Sequence, residues 1–435
     1  MFVVTSWDGR IRKDIDLVYR RVLPDEIPFD SYKFFTILPF WHPYDSNGQL
    51  PSNYLLYNSY ENTSLTINIL PWLNLPPVSS DETIQRANRW KKILDEGYGV
   101  MTFRNQNDFF SLFSYDTRYN EDDKKKILKL AINFAGEDSV ATSIIYLLKY
   151  TPITVIFLPY DSNGYSIRTP SAILDDIFEE TNFLEEQNFY IELGLRSSGY
   201  YNQTQYNIFT NTVKNKIINI TQRHDIISVF DAPMNSTQDT LYNSYKIISL
   251  AGWQRHDKYL LPPSVFYAYL IKHLENTNKR FASIVNKKTR ITSYMKPIAH
   301  YSPNFIHNLI DSVINMQSST NLLTKIRNDV VFLTDVTQEI SSNNMLRQEN
   351  AVRAALYAKK IMLNIGKYFI GLNKNEINYE EIENKINKYL SNEDLNIYCK
   401  VLEEDNTLEN VLFIRLFIEI GKTIYRIDIK LTAND

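Results

Sequence analysis

Two continuous apolar runs constrain the fold of this chain more than any other feature. Residues 151–158 (TPITVIFL) and 225–233 (DIISVFDAP) are rich in β-branched residues, and each run ends at a turn. Each also follows a stretch with apolar residues at helical spacing, which is typical of strands buried on both faces by helices. The alternation predicts an α/β core in which helices flank a mixed sheet.

Shorter patterns predict further elements around these two runs. Alternating apolar residues indicate strands at 64–70, 99–103 and 329–333. Spacings of three and four residues indicate helices at 122–134, 139–148, 213–220, 237–250, 265–273 and 306–314, and residues 107–113 are expected to form a turn capped by Asn107.

The last part of the chain has the clearest patterns. A helix is predicted over 350–369, and a second helix has one face lined by Ile382, Ile386, Tyr389 and Leu390. Three alternating runs follow, at 395–401, 412–420 and 425–431. This pattern predicts an α+β domain that ends in antiparallel strands.

The last of these strands is a candidate for contact between subunits. Its apolar positions alternate with Arg426, Asp428 and Lys430, and it stops four residues before the sequence ends. We therefore expect it at a sheet edge, where it can pair within its own subunit or with a neighbouring one. The candidate residues are Tyr425, Ile427, Ile429 and Leu431.

These patterns divide the chain into three regions. Residues 1–95 contain many prolines, which interrupt every candidate helix, and are expected to form an arm plus a small β unit. Residues 96–345 contain the predicted α/β core. Residues 346–435 contain the C-terminal α+β domain with its terminal linker strand.

Composition bears on partners and compartment. The net charge of -3 and pI of about 6.1 provide no basic excess, which argues against nucleic acid as a direct partner. A single cysteine excludes an internal disulfide framework and favours a reducing compartment. The sequence lacks a signal peptide pattern and a long apolar run, so we expect a cytoplasmically made protein without membrane insertion.

The sequence carries no motif that predicts catalysis or cofactor binding. The six histidines lack the spacing of a metal site, and neither a phosphate-binding loop nor a dinucleotide fingerprint is present. Two Asp-Ser-Asn-Gly segments lack the later glutamate of a calcium loop. We expect no enzyme, no metal and no cofactor, and an enzyme with a dispersed site remains an alternative.

Residues 223–290 resemble the core of contractile tail sheath proteins, including those of related contractile injection systems. In that family a hydrophobic strand ends in an Asp-Ala-Pro-like turn, a helix with a Tyr follows, and a Pro-Pro-Ser step leads into another helix. Residues 98–113, 154–158 and 350–431 resemble other parts of the same family. The matching strand, turn and step include Ile226, Val229, Asp231, Pro233, Tyr242, Pro262, Pro263 and Ser264.

The resemblance implies a self-assembling structural subunit. Sheath subunits form stacked hexameric rings around an inner tube, and their arms complete the β-sheets of neighbours while the cores move during contraction. The implied partners are further copies of the chain, the inner tail tube protein, the baseplate and the tail terminator. The implied location is a virion tail assembled in the host cytoplasm. A baseplate or tail-terminator protein on a related core, forming a closed ring, is the alternative.

Overall fold

The computed structural model describes most of the chain in separate segments. These are residues 2–3, 31–40, 54–58, 63–67, 99–113, 140–159, 169–180, 183–197, 203–234, 236–237, 242–256, 259–289, 294–339, 345–366, 378–390, 396–400 and 414–419. The predicted helix at 122–134 and the predicted strand at 425–431 lie outside these segments.

The strands of the described segments are numbered in chain order. They are β1 (Phe2–Val3), β2 (Phe34–Phe40), β3 (Tyr54–Asn58), β4 (Thr63–Ile67), β5 (Gly99–Phe103), β6 (Ile153–Pro159), β7 (Phe189–Ile191), β8 (Ile227–Asp231), β9 (Ile247–Ala251), β10 (Gln254–His256), β11 (Tyr259–Leu261), β12 (Lys296–Pro297), β13 (Thr320–Ile326), β14 (Asp329–Phe332), β15 (Asn396–Lys400) and β16 (Arg415–Glu419).

The helices are numbered in the same way. They are α1 (Gln106–Phe113), α2 (Val140–Leu147), α3 (Pro170–Asp175), α4 (Phe183–Glu186), α5 (Gln203–Arg223), α6 (Pro263–Asn276), α7 (Pro303–Ile314), α8 (Glu349–Gly366) and α9 (Tyr379–Leu390). A π-helical turn, Asp176–Glu180, continues α3. None of the described helices is both long and apolar enough to cross a membrane.

The largest sheet in the described part of the chain has eight strands, in the order β14-β13-β9-β8-β7-β2-β6-β5. The six inner strands are parallel to their neighbours, and the two edge strands, β14 and β5, run antiparallel. Every residue of β7, β8 and β9 is buried. The predicted mixed sheet flanked by helices is therefore confirmed.

Strand β2 is the main element that sequence patterns did not reveal. It lies inside the sheet, between β6 and β7, and its Phe34, Phe35 and Ile37 are almost fully buried. Because of Pro39, this run was predicted to be irregular, since proline lacks the backbone N–H that a central strand donates to its neighbour. Here Pro39 is the next-to-last residue of the strand, paired in register with Leu158.

Two other local predictions were wrong. The predicted helix over 237–250 includes the first four residues of β9, whose short apolar run Ile-Ile-Ser-Leu-Ala is a strand buried on both faces. Periodicity cannot separate such a run from a buried helix. The predicted turn at 107–113 is helix α1, and its cap is Asn105 rather than Asn107, since Asn105 Oδ1 accepts from Asp108 N–H at 3.0 Å.

The chain folds into two compact units. The core unit comprises Tyr32–His273 and Ile284–Ser342, and it contains the large sheet. The terminal unit comprises Met1–Ser31, Leu274–Ser283 and Asn343–Asp435. The described elements of the terminal unit include α8, α9 and a sheet in the order β1-β16-β15, whose pairs are antiparallel.

Candidate functional site

The strand, the turn and the Pro-Pro-Ser step identified in the sequence lie in one cluster in the core unit. Ile226 and Val229 are fully buried at the start and middle of the second apolar run, and Asp231 ends β8. Pro233 lies two residues later and is exposed. Pro262 and Pro263 are buried at the beginning of α6, and Pro263 is its first residue.

Asp231 caps helix α6 from a distance of more than thirty residues in sequence. Its Oδ1 accepts from the Ser264 N–H at 2.9 Å, and its Oδ2 accepts from the Ser264 hydroxyl at 2.6 Å. The first N–H groups of a helix have no partner within the helix, and the residue before Pro263 is another proline without a capping side chain. The carboxylate at the end of β8 therefore takes the place of a local cap.

Gly194 is the third donor to Asp231. Its N–H lies 2.9 Å from Asp231 Oδ2, and its φ of +75° is one that glycine adopts without strain. A Cβ added at Gly194 would lie 2.6 Å from the Trp253 ring and 3.3 Å from Pro262. The cluster thus packs Pro262 and Trp253 directly over the Gly194 backbone.

A second buried carboxylate, Glu192, lies beside Asp231. Glu192 follows the last residue of β7, and its Oε2 accepts from the Asp231 N–H at 2.6 Å. Arg196 holds Glu192 with two hydrogen bonds, of 2.5 Å and 3.2 Å, and also donates to the Asp231 backbone carbonyl. Neither residue was singled out from sequence, because a spacing of four residues indicates an ion pair only within a helix, and these two residues lie on either side of a turn with positive φ at Leu193 and Gly194.

The environment raises the pKa of the Asp231 carboxyl from 3.8 to about 7. Burial is the largest cause, and the neighbouring Glu192 charge adds to it, while the hydrogen bonds from Ser264 and Gly194 act in the opposite direction. Burial also raises the pKa of Tyr190, one residue before the end of β7. Gly194 and Ser264 thus hold the Asp231 carboxylate with two backbone N–H groups and one hydroxyl.

The inter-subunit strand candidates Tyr425, Ile427, Ile429 and Leu431 lie outside the described residues. The sheet that is described nearest to them in sequence is the β1-β16-β15 sheet of the terminal unit. In it, Phe2 pairs with Leu416 and Val3 with Arg415. On the other side of β16, Tyr398 stacks on Phe417 with ring centroids 5.0 Å apart.

Helix α9 contacts the edge of this sheet at Cys399, the fourth of the five residues of β15. The Asn387 side chain accepts from the Cys399 N–H at 2.6 Å and donates to the Cys399 carbonyl at 3.2 Å. These are the backbone groups with which an added strand would pair, so Asn387 occupies them at the outer edge of β15. Burial, followed by the Glu383 charge, raises the pKa of the Cys399 thiol to about 12, which disfavours the reactive thiolate.

The described residues contain no cluster of three or more His, Cys, Asp or Glu side chains that could hold a metal ion. The Nδ1 atom of His256 lies 3.3 Å from the Tyr146 hydroxyl oxygen, and the ring of His273 stacks on Tyr269. His307 pairs with Asp311 on the exposed side of α7 at 3.4 Å. These contacts are those of structural and surface histidines.

Comparison with known proteins yields matches at the level of structure. No protein-family model matches the sequence, and no curated protein matches it. A chain of the anti-feeding prophage helical sheath in the contracted state is 12% identical with a TM-score of 0.55, covering 99% of this chain and 100% of that one.

Two further solved structures match over the full length. A chain of the contracted sheath complex of PVC, an extracellular contractile injection system, is 10% identical with a TM-score of 0.54, covering 100% of this chain and 99% of that chain. A chain of the anti-feeding prophage baseplate is 11% identical with a TM-score of 0.57, covering 99% and 100%. At sequence identities this low, the structural match establishes the fold alone. The protein has the fold of the sheath proteins of contractile injection systems, and the resemblance seen in its sequence is confirmed at that level.

Proposed function

We propose that this protein is a structural subunit of a contractile tail sheath. Its copies polymerise as stacked rings around an inner tube and contract to drive the tube through an envelope. The observation that carries this proposal is the extent of the structural match: both the core unit and the terminal unit fall within an alignment that covers almost all of this chain and of the sheath chains. A fold shared only in its α/β core would support many unrelated functions.

The partners follow from this role. Further copies of the chain contribute the lattice contacts in hexameric rings, the inner tail tube protein lies inside, and the baseplate and tail terminator close the two ends. The subunit acts in the tail after assembly in the host cytoplasm. The role proposed here is structural rather than catalytic, as it is for the sheath chains that this chain matches.

Strand addition in the terminal unit is the proposed lattice contact. Backbone hydrogen bonds between an arm and a neighbouring sheet keep subunits linked while the core units move. Asn387 occupies the outer edge of β15 at Cys399, which directs an added strand to the other side of the sheet, beyond β16. On that side, the described residues of β1 pair with Leu416 and Arg415 of β16.

Electron microscopy of the purified protein tests the assembly itself. We expect long hollow tubes, because a sheath lattice repeats along its axis. Discrete closed rings would instead favour a baseplate-associated or terminator subunit, for which the match to an anti-feeding prophage baseplate structure is the supporting observation. A protein that stays monomeric at high concentration would contradict both assembly proposals.

A truncation tests the terminal strand separately. Deletion of the residues after Ile424 should abolish polymerisation and leave the core unit folded, since the deleted segment supplies the proposed linker strand and no described element. Assembly is scored by microscopy and sedimentation, and folding by circular dichroism.

Substitutions in the same segment provide a matched control. Replacing Tyr425, Ile427, Ile429 and Leu431 with Ser removes the apolar face of the strand and should act like the deletion. Replacing Arg426, Asp428 and Lys430 with Ser changes only the opposite face and should allow assembly. Tubes formed by the truncated chain would show that this strand is not the linker, and would leave the sheath proposal in place.

A further inference from the structure

The Glu192–Asp231 cluster holds more buried negative charge than its contacts neutralise. Arg196 forms a two-bond ion pair with Glu192, so one carboxylate is compensated. The donors to Asp231 are two backbone N–H groups and one hydroxyl, all of them uncharged. Both carboxylates belong to residues that are no more than 2% exposed. A buried charge without an ionic partner is expensive, and a proton can remove it.

Titratable and charged groups from several elements surround the Asp231 carboxyl. Tyr190 and Glu192 come from β7 and the residue after it, and Arg196 contributes its guanidinium to Glu192 and to the Asp231 carbonyl. Lys214 of α5 lies over the neighbouring Phe230 ring, 5.5 Å from its centroid. From α6, only the uncharged Ser264 contacts the carboxylate. Among these groups the cation in hydrogen-bond contact with the cluster is Arg196, which Glu192 already binds.

We propose that Asp231 is a proton-operated latch between the ends of β7 and β8 and the first turn of α6, and that uptake of one proton by this carboxyl stabilises the core unit. This latch belongs to the folded subunit and does not depend on the proposed assembly. In the ionised state, the latch holds Ser264 of α6 by two hydrogen bonds and Gly194 by a third, and it bears an uncompensated charge next to Glu192. In the protonated state the charge is gone.

The hydrogen bonds can adapt to the proton. Ser264 Oγ already accepts from the Leu193 N–H at 3.2 Å, and its second lone pair can accept from a protonated Asp231 Oδ2. This exchange deprives the Ser264 hydroxyl of its own acceptor, so the number of hydrogen bonds does not increase. The stabilisation is therefore electrostatic, and it comes from removing repulsion and the burial of a charge.

The sign of the pH dependence follows from the raised pKa of Asp231. Between the unfolded value of 3.8 and the folded value of about 7, the folded chain binds a proton that the unfolded chain lacks. Stability then falls as the pH rises through this window, and the loss is complete above it. For a single linked proton, the unfolding equilibrium constant rises by up to about tenfold per pH unit within the window.

Chemical denaturation across this pH range tests the latch. The unfolding equilibrium constant of the wild-type core unit should rise between about pH 4 and pH 7 relative to that of an Asp231→Asn variant, and then run parallel to it. Asparagine resembles the protonated carboxyl in charge and shape. The matched control is Asp329→Asn, which removes the carboxylate of a more exposed ion pair with Lys288 and should preserve the wild-type pH dependence.

A measurement on the wild-type protein covers the case in which Asp231→Asn does not fold. With aspartate carbon-13 labelled at its carboxyl, one resonance should titrate between about pH 6 and 8, and the Glu192→Gln variant should shift that titration to lower pH. Two results would overturn the proposal: no aspartate resonance titrating in this range, or the same pH dependence of unfolding in the wild type and the Asp231→Asn variant.

Discussion

At the residue scale, Gly252 is a position where the fold has no room for a side chain. It follows β9 directly and has a φ of +95°. An ideal Cβ at this position would lie 2.0 Å from the backbone carbonyl oxygen of Leu323. Leu323 lies in β13, the parallel neighbour of β9. Since a backbone atom in the middle of a sheet cannot move aside cheaply, the close approach of the two strands requires glycine here.

The Gly252→Ala variant should therefore be destabilised by about 2 kcal/mol or more, through both the positive φ and the clash. Urea denaturation measures the effect. Gly99→Ala provides the control, because Gly99 begins the edge strand β5 and is not among the described residues with positive φ. A loss below about 0.5 kcal/mol for Gly252→Ala would show that β13 relaxes away from β9.

At the element scale, helix α7 depends on its cap for a defined beginning. Ser302 is the N-cap, and its Oγ accepts from the Phe305 N–H at 3.2 Å. Pro303 follows at the first helical position, where the missing N–H of proline has no consequence. Leu309 and Val313 then reach the interior, and Leu309 packs with Ala232 and Ala251 at the ends of β8 and β9.

Replacing Ser302 with Ala should destabilise the core unit by about 1 kcal/mol, because the first turn of α7 loses its cap. Ser312→Ala is the matched control: its hydroxyl donates to Asn308 O within the same helix, and alanine is a better helix former there. Thermal unfolding of the two variants distinguishes the positions. Equal effects would mean that the packing of Leu309 and Val313, rather than the cap, defines the start of the helix.

At the scale of the whole molecule, each of the two units has its own buried ionic centre. In the terminal unit that centre is Arg353 of α8, which is completely buried, as is its partner Glu349. Arg353 donates to both Glu349 carboxylate oxygens, at 2.8 Å and 3.0 Å, and to the Arg280 and Ala282 carbonyls. It thus joins two separate chain segments of the same unit.

We expect calorimetry to resolve two unfolding transitions, one for each unit. The Arg353→Met substitution should lower the free energy of unfolding of the terminal unit alone, by about 3 to 5 kcal/mol. The reason is that Glu349 would remain buried without its partner. Lys360→Met also replaces a cationic side chain with Met, but at a half-buried position of α8, and should change stability little. A single transition that shifts as a whole would contradict the independence of the units.

Local patterns in the sequence were sufficient to predict the elements that are buried along their whole length or along one face. The runs that became β6 and β8 were predictable because a strand buried on both faces is a short continuous run of β-branched residues. The 213–220 part of α5 and the amphipathic α9 were predictable because a helix with one buried face repeats apolar residues every three or four positions. The order of strand, turn and Pro-Pro-Ser step was enough to indicate the sheath resemblance.

What the tertiary structure decided are the relations between residues distant in sequence. Asp231 caps a helix that begins 32 residues later and meets Glu192 from 39 residues earlier, and Asn387 occupies the edge of β15 at Cys399. Strand β2 is central only because β6 and β7 lie on either side of it. The physical reason is that periodicity reports which face of an element is buried. The partner of each polar side chain, and the charge balance of the cluster that it joins, depend instead on how the chain brings strand ends and helix ends together.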